Sequence, residues 1–280
     1  MKCDKSEDAF NALTDEKLHS LSILSKFIAY IANSFTIAEM EIRKLHHDPT
    51  ELFTRAVQPA LWLLVFGQAF SKVRAIPTGN VNYQTFMTPG ILAQSMMFIS
   101  IFYGLSIIWD KDQGILQKLI ALPVSRFAFV TGKALGASVR SISQVVIILF
   151  LSLLIGIKLY WNIVNILMSV ITIVFGAIIF SSLSMAIAAI VKTRERFMGI
   201  GQVITMPLFF ASNAIYPIKI MPHWLQIVAK VNPLSYVVEL LRGYLLNSPI
   251  LNANLDWLII IFITVILQLC AALLYPRIVI

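Results

Sequence analysis

The stretch from Trp109 to Pro123 reads WDKDQGILQKLIALP and lies between two long apolar runs. Its charged residues come first, and a short helical pattern with one apolar face follows. That face consists of Ile115, Leu116, Leu119 and Leu122. Pro123 ends the helix. A connection between membrane helices has little reason to carry an apolar face unless that face binds something. We therefore predict that another protein acts on the 109–123 segment; a helix resting on lipid headgroups is the alternative.

The composition is that of an integral membrane protein. The chain has 280 residues, of which 58% are hydrophobic and 13% charged, whereas soluble domains carry about 25% charged residues. Two cysteines, Cys3 and Cys270, provide neither a disulfide framework nor a metal site. The net charge of +8 comes from basic residues scattered near the ends of the apolar runs. A membrane orientation signal explains this charge, and no nucleic-acid partner is expected.

The N-terminal part precedes the apolar runs and divides into two segments. Residues 1–17 are polar and are predicted to form a flexible tail. Residues 18–48 are predicted to form an amphipathic helix, too polar to span, that lies along the membrane surface. Its predicted apolar face consists of Leu21, Leu24, Ile28, Ile31 and Phe35.

Six apolar runs follow in a predicted transmembrane domain over residues 49–280, each near the ~20 residues that a helix needs to cross a bilayer. The predicted spans are residues 54–71, 88–109, 134–157, 163–190, 198–216 and 256–275. With these spans, fifteen lysines and arginines lie on the side of both termini and six on the other. The more basic side is normally cytoplasmic. Both termini and the 109–123 segment are therefore predicted to be cytoplasmic.

The stretch between the fifth and sixth runs contains two apolar segments too short to cross the membrane, 224–229 and 234–246. Asn232 and Pro233 separate them, with Asn232 as the expected cap of the second helix. Glu239 and Arg242 are three residues apart there and are expected to pair. We predict a helical hairpin that re-enters the membrane from the outer face; surface helices in an ordinary outer loop are the alternative. The predicted fold is thus an all-α membrane protein with six transmembrane helices, an N-terminal interfacial helix and this outer re-entrant hairpin.

The sequence lacks the residues that ion-driven transport, ATP binding and catalysis normally require. No charged residue or histidine occupies the apolar middle of any run, although proton- and ion-driven carriers normally place one there. The sequence contains no G-x-x-x-x-G-K-[ST] loop for ATP and no catalytic constellation. Energy for uphill transport would therefore have to come from another polypeptide, through the 109–123 segment.

Three parts of the chain resemble the type-2 (ABC-2) permeases of ABC exporters, such as the daunorubicin-resistance and nodulation-factor exporters. The stretch 59–67, PALWLLVFG, is similar to the first span of that family. Gly114 to Leu116, followed by 122–126 (LPVSR), resembles its coupling helix and the start of the third span. The stretch from Asn232 to Gly243 resembles its late signature near the outer hairpin. The resemblance as a whole extends over roughly residues 36–275.

This resemblance implies a permease subunit, not an enzyme, that exports a hydrophobic or amphipathic substrate such as a drug, lipid or glycolipid. Two copies, or this chain and a relative, would pair with two ATP-binding subunits. The chain itself would bind no cofactor, since ATP and Mg would bind to the partner. Its location would be the plasma or inner membrane, as a multi-pass protein. The implied coupling residues are Asp110, Gln113, Gly114, Leu116 and Leu119. The resemblance also implies elbow residues, which would pass motion to the spans. They lie on the helix before Pro49 and are Glu39, Arg43 and Lys44.

Two alternatives remain open at this point. The chain could instead be a membrane-embedded lipid-modifying enzyme or an assembly scaffold, with no ATP-binding partner. Gly132 and Gly136 form a small-xxx-small pair, which serves either a dimer face or, more often, internal helix packing.

The predicted topology can be tested with reporter fusions. A reporter placed after Ile280 should be cytoplasmic, and one inserted at Gly79 should lie outside, because basic residues concentrate on the cytoplasmic side. Reporter activity measured in intact cells distinguishes the two locations. A cytoplasmic signal at Gly79 would contradict the six-span topology.

Overall fold

The computed structural model describes residues 23–47, 50–73, 81–114, 125–191, 193–250 and 252–279. Within these residues the regular structure is helical and contains no strand, which confirms the prediction of an all-α chain. The predicted tail, 1–17, lies outside them. The helices are α1 (Ile23–His47), α2 (Thr50–Leu61), α3 (Gly67–Val73), α4 (Tyr83–Phe102), α5 (Gly104–Asp112), α6 (Arg126–Leu154), α7 (Ile163–Ile190), α8 (Arg194–Phe210), α9 (His223–Val231), α10 (Pro233–Leu246) and α11 (Ala253–Val279). A π-helical turn, Trp62–Phe66, joins α2 to α3.

Within the described residues, four helical stretches are long and apolar enough to cross a membrane. They are Tyr83–Asp112 (α4 and α5), Arg126–Leu154 (α6), Ile163–Ile190 (α7) and Ala253–Pro276 (in α11). They correspond to the second, third, fourth and sixth predicted spans. The first and fifth predicted spans are helical, but they are not both long and apolar enough to be counted with these four. The 50–73 stretch mixes Gln58, Gln68 and Lys72 with its apolar residues, and α8 has only 17 residues.

The fifth predicted span, 198–216, is also wrong at its end. Helix α8 stops at Phe210, and residues 211–216 form a turn. Pro207 therefore lies in the last turn of α8 and not in the middle of a span.

The bundle has two ends, which we name the charged end and the hairpin end. The charged end is where α5 ends and α6 begins, and the hairpin end carries α9 and α10. At the hairpin end, Tyr160 N, just before α7, donates a hydrogen bond to Leu245 O over 2.8 Å. At the charged end, the rings of Phe129 and Tyr275 lie 4.7 Å apart, joining the start of α6 to the end of α11.

Helix α8 extends from one end to the other. At the charged end, Phe197 is fully buried and packs with Ile108 and Ala188. At the hairpin end, Asn232 Nδ2 donates to Leu208 O over 2.6 Å. The two ends of α8 thus contact the same two ends of the bundle as the long helices do.

The 50–73 stretch also extends along the bundle. Near the hairpin end, the ring of Phe70 lies 5.6 Å from that of Tyr83, and Tyr83 Oη donates to Ile215 O over 3.1 Å. Near the charged end, Arg55 and Arg140 line the same cleft. This stretch and α8 therefore both run along the bundle between its two ends.

Helix α1 packs on α6 through two glycines. A Cβ at Gly132 would lie 2.7 Å from Ile37 Cβ, and one at Gly136 would lie 2.6 Å from Glu41 Cβ. The small-xxx-small pair of Gly132 and Gly136 could serve a dimer face or internal packing, and in the structure it serves internal packing. The face of α1 that meets α6 is not the predicted apolar face, because Ile28 and Phe35 remain 58% and 64% exposed.

The close approach at Gly90 can be tested by substitution. A Cβ at Gly90 would lie 2.2 Å from Ala214 O, in the turn after α8. Gly90→Ala should therefore destabilise the protein by about 1–3 kcal/mol, as overpacking does. The melting temperature of the purified protein in detergent measures this effect.

Gly199→Ala is the matched control, because a Cβ at Gly199 meets nothing within 4 Å. Alanine also favours the helical conformation over glycine, so this variant should melt at or above the wild-type temperature. Equal melting temperatures for the two variants would contradict the packing of the 211–216 turn on α4.

Candidate functional site

Three charged side chains from three helices meet inside the protein at the charged end. Lys133 of α6 is fully buried, Glu41 of α1 is fully buried, and Asp110 of α5 is 4% exposed. Lys133 Nζ donates to Glu41 Oε1 and to Asp110 Oδ2, each over 2.6 Å. One ammonium group thus joins two carboxylates that are far apart in the sequence.

Two further cations complete this group, which we name the ion cluster (Glu41, Lys44, Asp110, Lys133 and Arg140). Lys44 Nζ donates to Asp110 Oδ1 over 2.9 Å and to Glu41 Oε1 over 3.2 Å. Arg140 Nη2 lies 3.7 Å from Glu41 Oε2. The ion cluster therefore has three cations and two carboxylates.

Aromatic rings cover part of the ion cluster. Lys133 Nζ lies 5.9 Å from the ring centre of Tyr103 and 5.8 Å from that of Phe129. Arg140 Cζ lies 5.4 Å from the Tyr103 ring centre. The negative face of an aromatic ring attracts a cation at this distance. These contacts partly replace the water that the cations lose on burial.

The charges on α1 stabilise each other. Burial alone raises the pKa of Glu41, but Lys133 and Lys44 outweigh it and lower that pKa from 4.5 to about 2. Burial lowers the pKa of Lys44, but Glu41 and Asp110 raise it above its usual value. Both groups are thus charged at neutral pH. Since the Glu41 pKa is lower in the folded chain, its contribution to stability is complete above pH 4.5 and is lost as pH falls towards 2.

Helical spacing explains how the sequence builds the ion cluster. Glu41 and Lys44 are three residues apart and lie on one face of α1. Lys133 and Arg140 are seven residues apart, which is two helical turns, and so they share a face of α6. Gly136 lies between them and lets α1 approach closely enough for Glu41 to reach Lys133.

A second, exposed contact holds the end of α5 to α8. Arg194 Nη2 lies 2.6 Å from Asp112 Oδ2, and its guanidinium lies 5.3 Å from the ring centre of Trp109. Helix α5 ends at Asp112, and a turn follows in which Gly114 has a φ of +70° and donates its N–H to Lys111 O over 3.0 Å. The start of the 109–123 segment is therefore attached to α1, α6 and α8.

The predicted coupling residues divide into three groups. Gln113 is exposed and Gly114 is half-buried, so both are open to a partner. Asp110 is instead buried in the ion cluster. Leu116 and Leu119 lie outside the described residues.

The predicted elbow residues also separate. Arg43 Nη2 pairs with Glu39 Oε1 over 2.7 Å on the exposed side of α1. Lys44 belongs to the ion cluster. The sequence reasoning missed Glu41, Lys133 and Arg140, and their signal was a pair of cations two turns apart beside the small residues of α6.

The predicted hairpin residues make some of the expected contacts and not others. Asn232 caps α10 as predicted, with its Oδ1 accepting from Leu234 N over 3.0 Å, and Pro233 is the first residue of α10. Arg242 does not pair with Glu239. Its Nη2 donates to Asn213 O over 2.8 Å, and its guanidinium lies 3.9 Å from the ring centre of Phe86.

Two adjoining clefts open beside the ion cluster. The lower cleft, of about 530 Å³, is lined by Lys44, Arg55, Trp109, Asp110 and Arg140 among others. The upper cleft, of about 310 Å³, is lined by Gln58, Gln94, Phe98, Gln144 and Gln202 among others. Arg55 and Phe102 line both clefts, so the two lie side by side. The described residues contain no group of three or more metal-ligating side chains.

Comparison with known proteins identifies the family. The ABC-2 type transporter family matches residues 32–246 of this chain, so the chain belongs to that family and is a multi-pass membrane protein. A protein of Cyanophora paradoxa that carries the name transport permease ycf38 is 32% identical over 234 residues, covering 82% of this chain and 78% of its own. The daunorubicin resistance ABC transporter permease protein DrrB1 of Streptomyces coeruleorubidus is 25% identical over 201 residues, covering 70% of each chain. The doxorubicin resistance ABC transporter permease protein DrrC of Mycobacterium tuberculosis is 21% identical over 230 residues, covering 82% of this chain and 83% of its own.

The ion cluster predicts a large penalty for removing its central cation. Lys133→Met leaves Glu41 and Asp110 buried with too little positive charge, and breaking a buried pair in this way costs about 3–5 kcal/mol. The melting temperature in detergent and the yield of folded protein should both fall strongly.

Arg43→Met is the matched control, since it breaks an exposed ion pair on α1, the helix that carries Glu41. Exposed pairs contribute little, and this variant should melt close to the wild type. The double variant Glu41→Gln with Lys133→Met should lose less than the sum of the single losses, because the two residues are in contact. Additive losses would show that the pair is not formed.

Proposed function

We propose that this chain is the membrane-spanning permease subunit of an ATP-driven exporter. It would move a hydrophobic or amphipathic substrate, such as a drug, lipid or glycolipid, out of the cytoplasm. A separate ATP-binding subunit would bind ATP and Mg and hydrolyse the ATP. The family supports this proposal, and so do relatives named as daunorubicin and doxorubicin resistance permeases. The observation that carries it is the ion cluster, which attaches the 109–123 segment to the helices around the clefts.

The ion cluster supplies the mechanical connection that such an exporter needs. Asp110 belongs both to helix α5 and to the 109–123 segment. When the ATP-binding subunit moves that segment, Asp110 therefore moves with it. Lys133 and Lys44 bind Asp110 on both of its oxygens, so α6 and α1 must follow. Asp112 and Arg194 pass the same motion to α8. A displacement of α5 alone would separate buried opposite charges, which is costly.

The contact with the ATP-binding subunit would lie on the 109–123 segment from Gln113 onwards. We assign it to Gln113, Gly114, Leu116 and Leu119. Asp110 would position this surface from inside the protein instead of touching the partner. The elbow residues Glu39 and Arg43 lie on the exposed side of α1, where they too are open to the ATP-binding subunit.

The proposed topology has six spans with the charged end in the cytoplasm. The 50–73 stretch and α8 would be the first and fifth spans, supported by their contacts with both ends of the bundle. The excess of lysine and arginine supports the cytoplasmic location of both termini. Helix α1, within the proposed 18–48 segment, would lie on the inner surface of the cell membrane with Phe27, Ile28 and Phe35 towards lipid, since these are exposed on the bundle.

The hairpin of α9 and α10 would re-enter the membrane from the outer side. Helix α9 has nine residues and α10 has 14, so neither can cross a bilayer alone. Asn232, Pro233, Glu239 and Arg242 would serve this hairpin as structural residues. The bond from Arg242 to Asn213 O attaches α10 to the end of α8.

A complete exporter would contain two permease halves, as a homodimer or a heterodimer. Helix α2 and the π-helical turn present apolar side chains that nothing in the described chain covers. These include Val57, Leu61, Leu64 and Val65, which are between 41% and 56% exposed. Lipid or the second half would cover this face.

The energy source is the direct test of this proposal. Proteoliposomes that contain this chain and its ATP-binding subunit should transport substrate with ATP, and an uncoupler of the proton gradient should not stop them. Blocking ATP hydrolysis should stop transport. A proton-driven carrier needs a titratable group deep in a span, and the apolar runs have none in their middle, so the energy must come from ATP. Substrate flux, measured with and without ATP and uncoupler, gives the answer. Transport driven by a pH gradient without nucleotide would refute the proposal.

Leu119→Asp extends the same experiment to the contact surface. A charge at this position would be buried without a partner in the interface, and transport should be lost while membrane insertion is kept. Normal transport by this variant would contradict the proposed contact. If the chain purifies with no ATP-binding subunit, a lipid-modifying enzyme or an assembly scaffold becomes the better explanation.

A further inference from the structure

The upper cleft lies deep in the bundle, between α2, α4, α6 and α8. Helix α4 begins at Tyr83, near the hairpin end. Gln94, which lines the cleft, follows Tyr83 by eleven residues and therefore lies about 16 Å along the helix from its start. The hydrocarbon core of a bilayer is about 30 Å thick. The cleft is therefore at the depth of the lipid tails.

The polar groups of this cleft are uncharged amides. Each of the four helices contributes one glutamine, and these are Gln58, Gln94, Gln144 and Gln202. Among the described residues that line the cleft, Arg55 is the one charged residue, and it already has an interaction of its own. An ion at this depth would lose its water and meet no opposite charge in the wall, which is costly. The cleft therefore favours an uncharged polar ligand.

Two adjacent side chains of α4 present hydrogen-bond acceptors to the cleft. Gln94 is only 2% exposed, and its Oε1 has no hydrogen-bond partner in the described part of the chain. Ser95 is also buried, and its Oγ donates its hydrogen to Ile91 O over 2.9 Å, so towards a ligand it can only accept. A buried acceptor without a donor costs free energy. A ligand that brings donor groups would remove this cost.

The wall of the cleft beyond these acceptors is aromatic. Phe98 and Phe102 follow Gln94 by four and eight residues, so they lie on the same face of α4, further towards the charged end. Their rings are 6.1 Å apart. Pockets of this kind hold the apolar part of a ligand on their rings and orient it through a few polar groups. The volume of about 310 Å³ suits a single headgroup.

We propose that the upper cleft binds the uncharged, hydroxyl-rich headgroup of an amphiphile. Its hydroxyls donate to Gln94 Oε1 and to Ser95 Oγ. The exposed amides of Gln58 and Gln202 bind the remaining hydroxyls, because a hydroxyl and an amide can each donate and accept. The two aromatic rings pack against the apolar part. This inference rests on the proposed function and names the chemical class of its substrate, an uncharged hydroxylated amphiphile.

The experiment measures the binding of radiolabelled amphiphiles to the full chain in zwitterionic lipid nanodiscs, with empty nanodiscs as the blank. The probes share a dodecyl chain and are used below the concentrations at which they form micelles. They are dodecyl glucoside, its fully O-methylated derivative, dodecanoate and dodecyltrimethylammonium. Dodecyl glucoside should bind about tenfold more tightly than each of the others, because it alone brings hydrogen-bond donors without a charge.

Gln94→Leu tests the open acceptor. This variant should bind dodecyl glucoside about tenfold more weakly and the methylated derivative as the wild type does, since only a hydroxyl uses the amide oxygen. It also removes a buried oxygen that has no partner among the described residues, so it should melt at or above the wild-type temperature. A lower melting temperature would show that the amide is already bonded within the protein and would overturn the inference.

Gln268→Leu is the matched control. Gln268 lies on α11, outside the lining of the cleft, and its Oε1 accepts from Thr131 Oγ1 over 3.4 Å. This variant makes the same change of side chain at another place in the bundle and should bind every probe as the wild type does. Equal losses of dodecyl glucoside binding in the two variants would count against the assignment to the upper cleft.

The wild-type chain alone can also overturn the inference. Binding of the methylated derivative as tight as that of dodecyl glucoside would remove the role of the hydroxyls, and tighter binding of either ion would remove the preference for an uncharged headgroup. Free glucose that displaces dodecyl glucoside at equal concentration would show a site for a small sugar and not for an amphiphile. The binding assay needs no ATP-binding subunit, so its failure leaves the ATP-driven transport experiment intact. Conversely, a chain that prefers dodecyl glucoside but shows no ATP-driven transport would contradict the proposed function alone.

Discussion

The structure at the charged end depends on one buried ammonium group, that of Lys133, held between the carboxylates of Glu41 and Asp110. Taking a charge out of water costs several kcal/mol, and the cost is offset only when close partners satisfy it. Both bonds of Lys133 are short, and aromatic rings flank it. Because each carboxylate belongs to a different helix, α1, α5 and α6 cannot separate at this point without exposing an unpaired buried charge.

Close backbone contact makes the ion pairs possible. Helix α1 reaches Lys133 because Gly132 and Gly136 leave room for Ile37 and Glu41 against the backbone of α6. The same device recurs at Gly104, whose N–H donates to Ser184 Oγ over 3.1 Å and brings α5 against α7. In a membrane the surrounding lipid is as apolar as the helices, so small residues and interhelical polar contacts contribute much of the specificity of packing. The ion cluster and the glycines are thus two parts of one arrangement.

The position of the ion cluster connects energy input to the lower cleft in the function that we propose. Lys44 and Arg140 belong to the ion cluster and also line the lower cleft. A displacement of the 109–123 segment would therefore change, through Asp110, the positions of the cations that line the lower cleft. No long chain of intermediate residues is needed for this effect, because the two sites share side chains. The proposed coupling is a local change of charge geometry between two states of the same cluster.

The sequence by itself determined the helical class, the four long spans and the cap at Asn232, because these depend on local properties. The hydrocarbon thickness demands about 20 apolar residues in a row, and α7 and α11 have them. The tertiary structure alone decided which polar groups meet. Glu41 and Lys133 are 92 residues apart, and Arg242 bonds to Asn213 and not to its neighbour Glu239. The periodicity of one helix shows which residues share a face, but it does not show which face meets another helix. For that reason the contact of α1 with α6 and the burial of Asp110 were not predicted, since only the packing of three helices could bring these partners together.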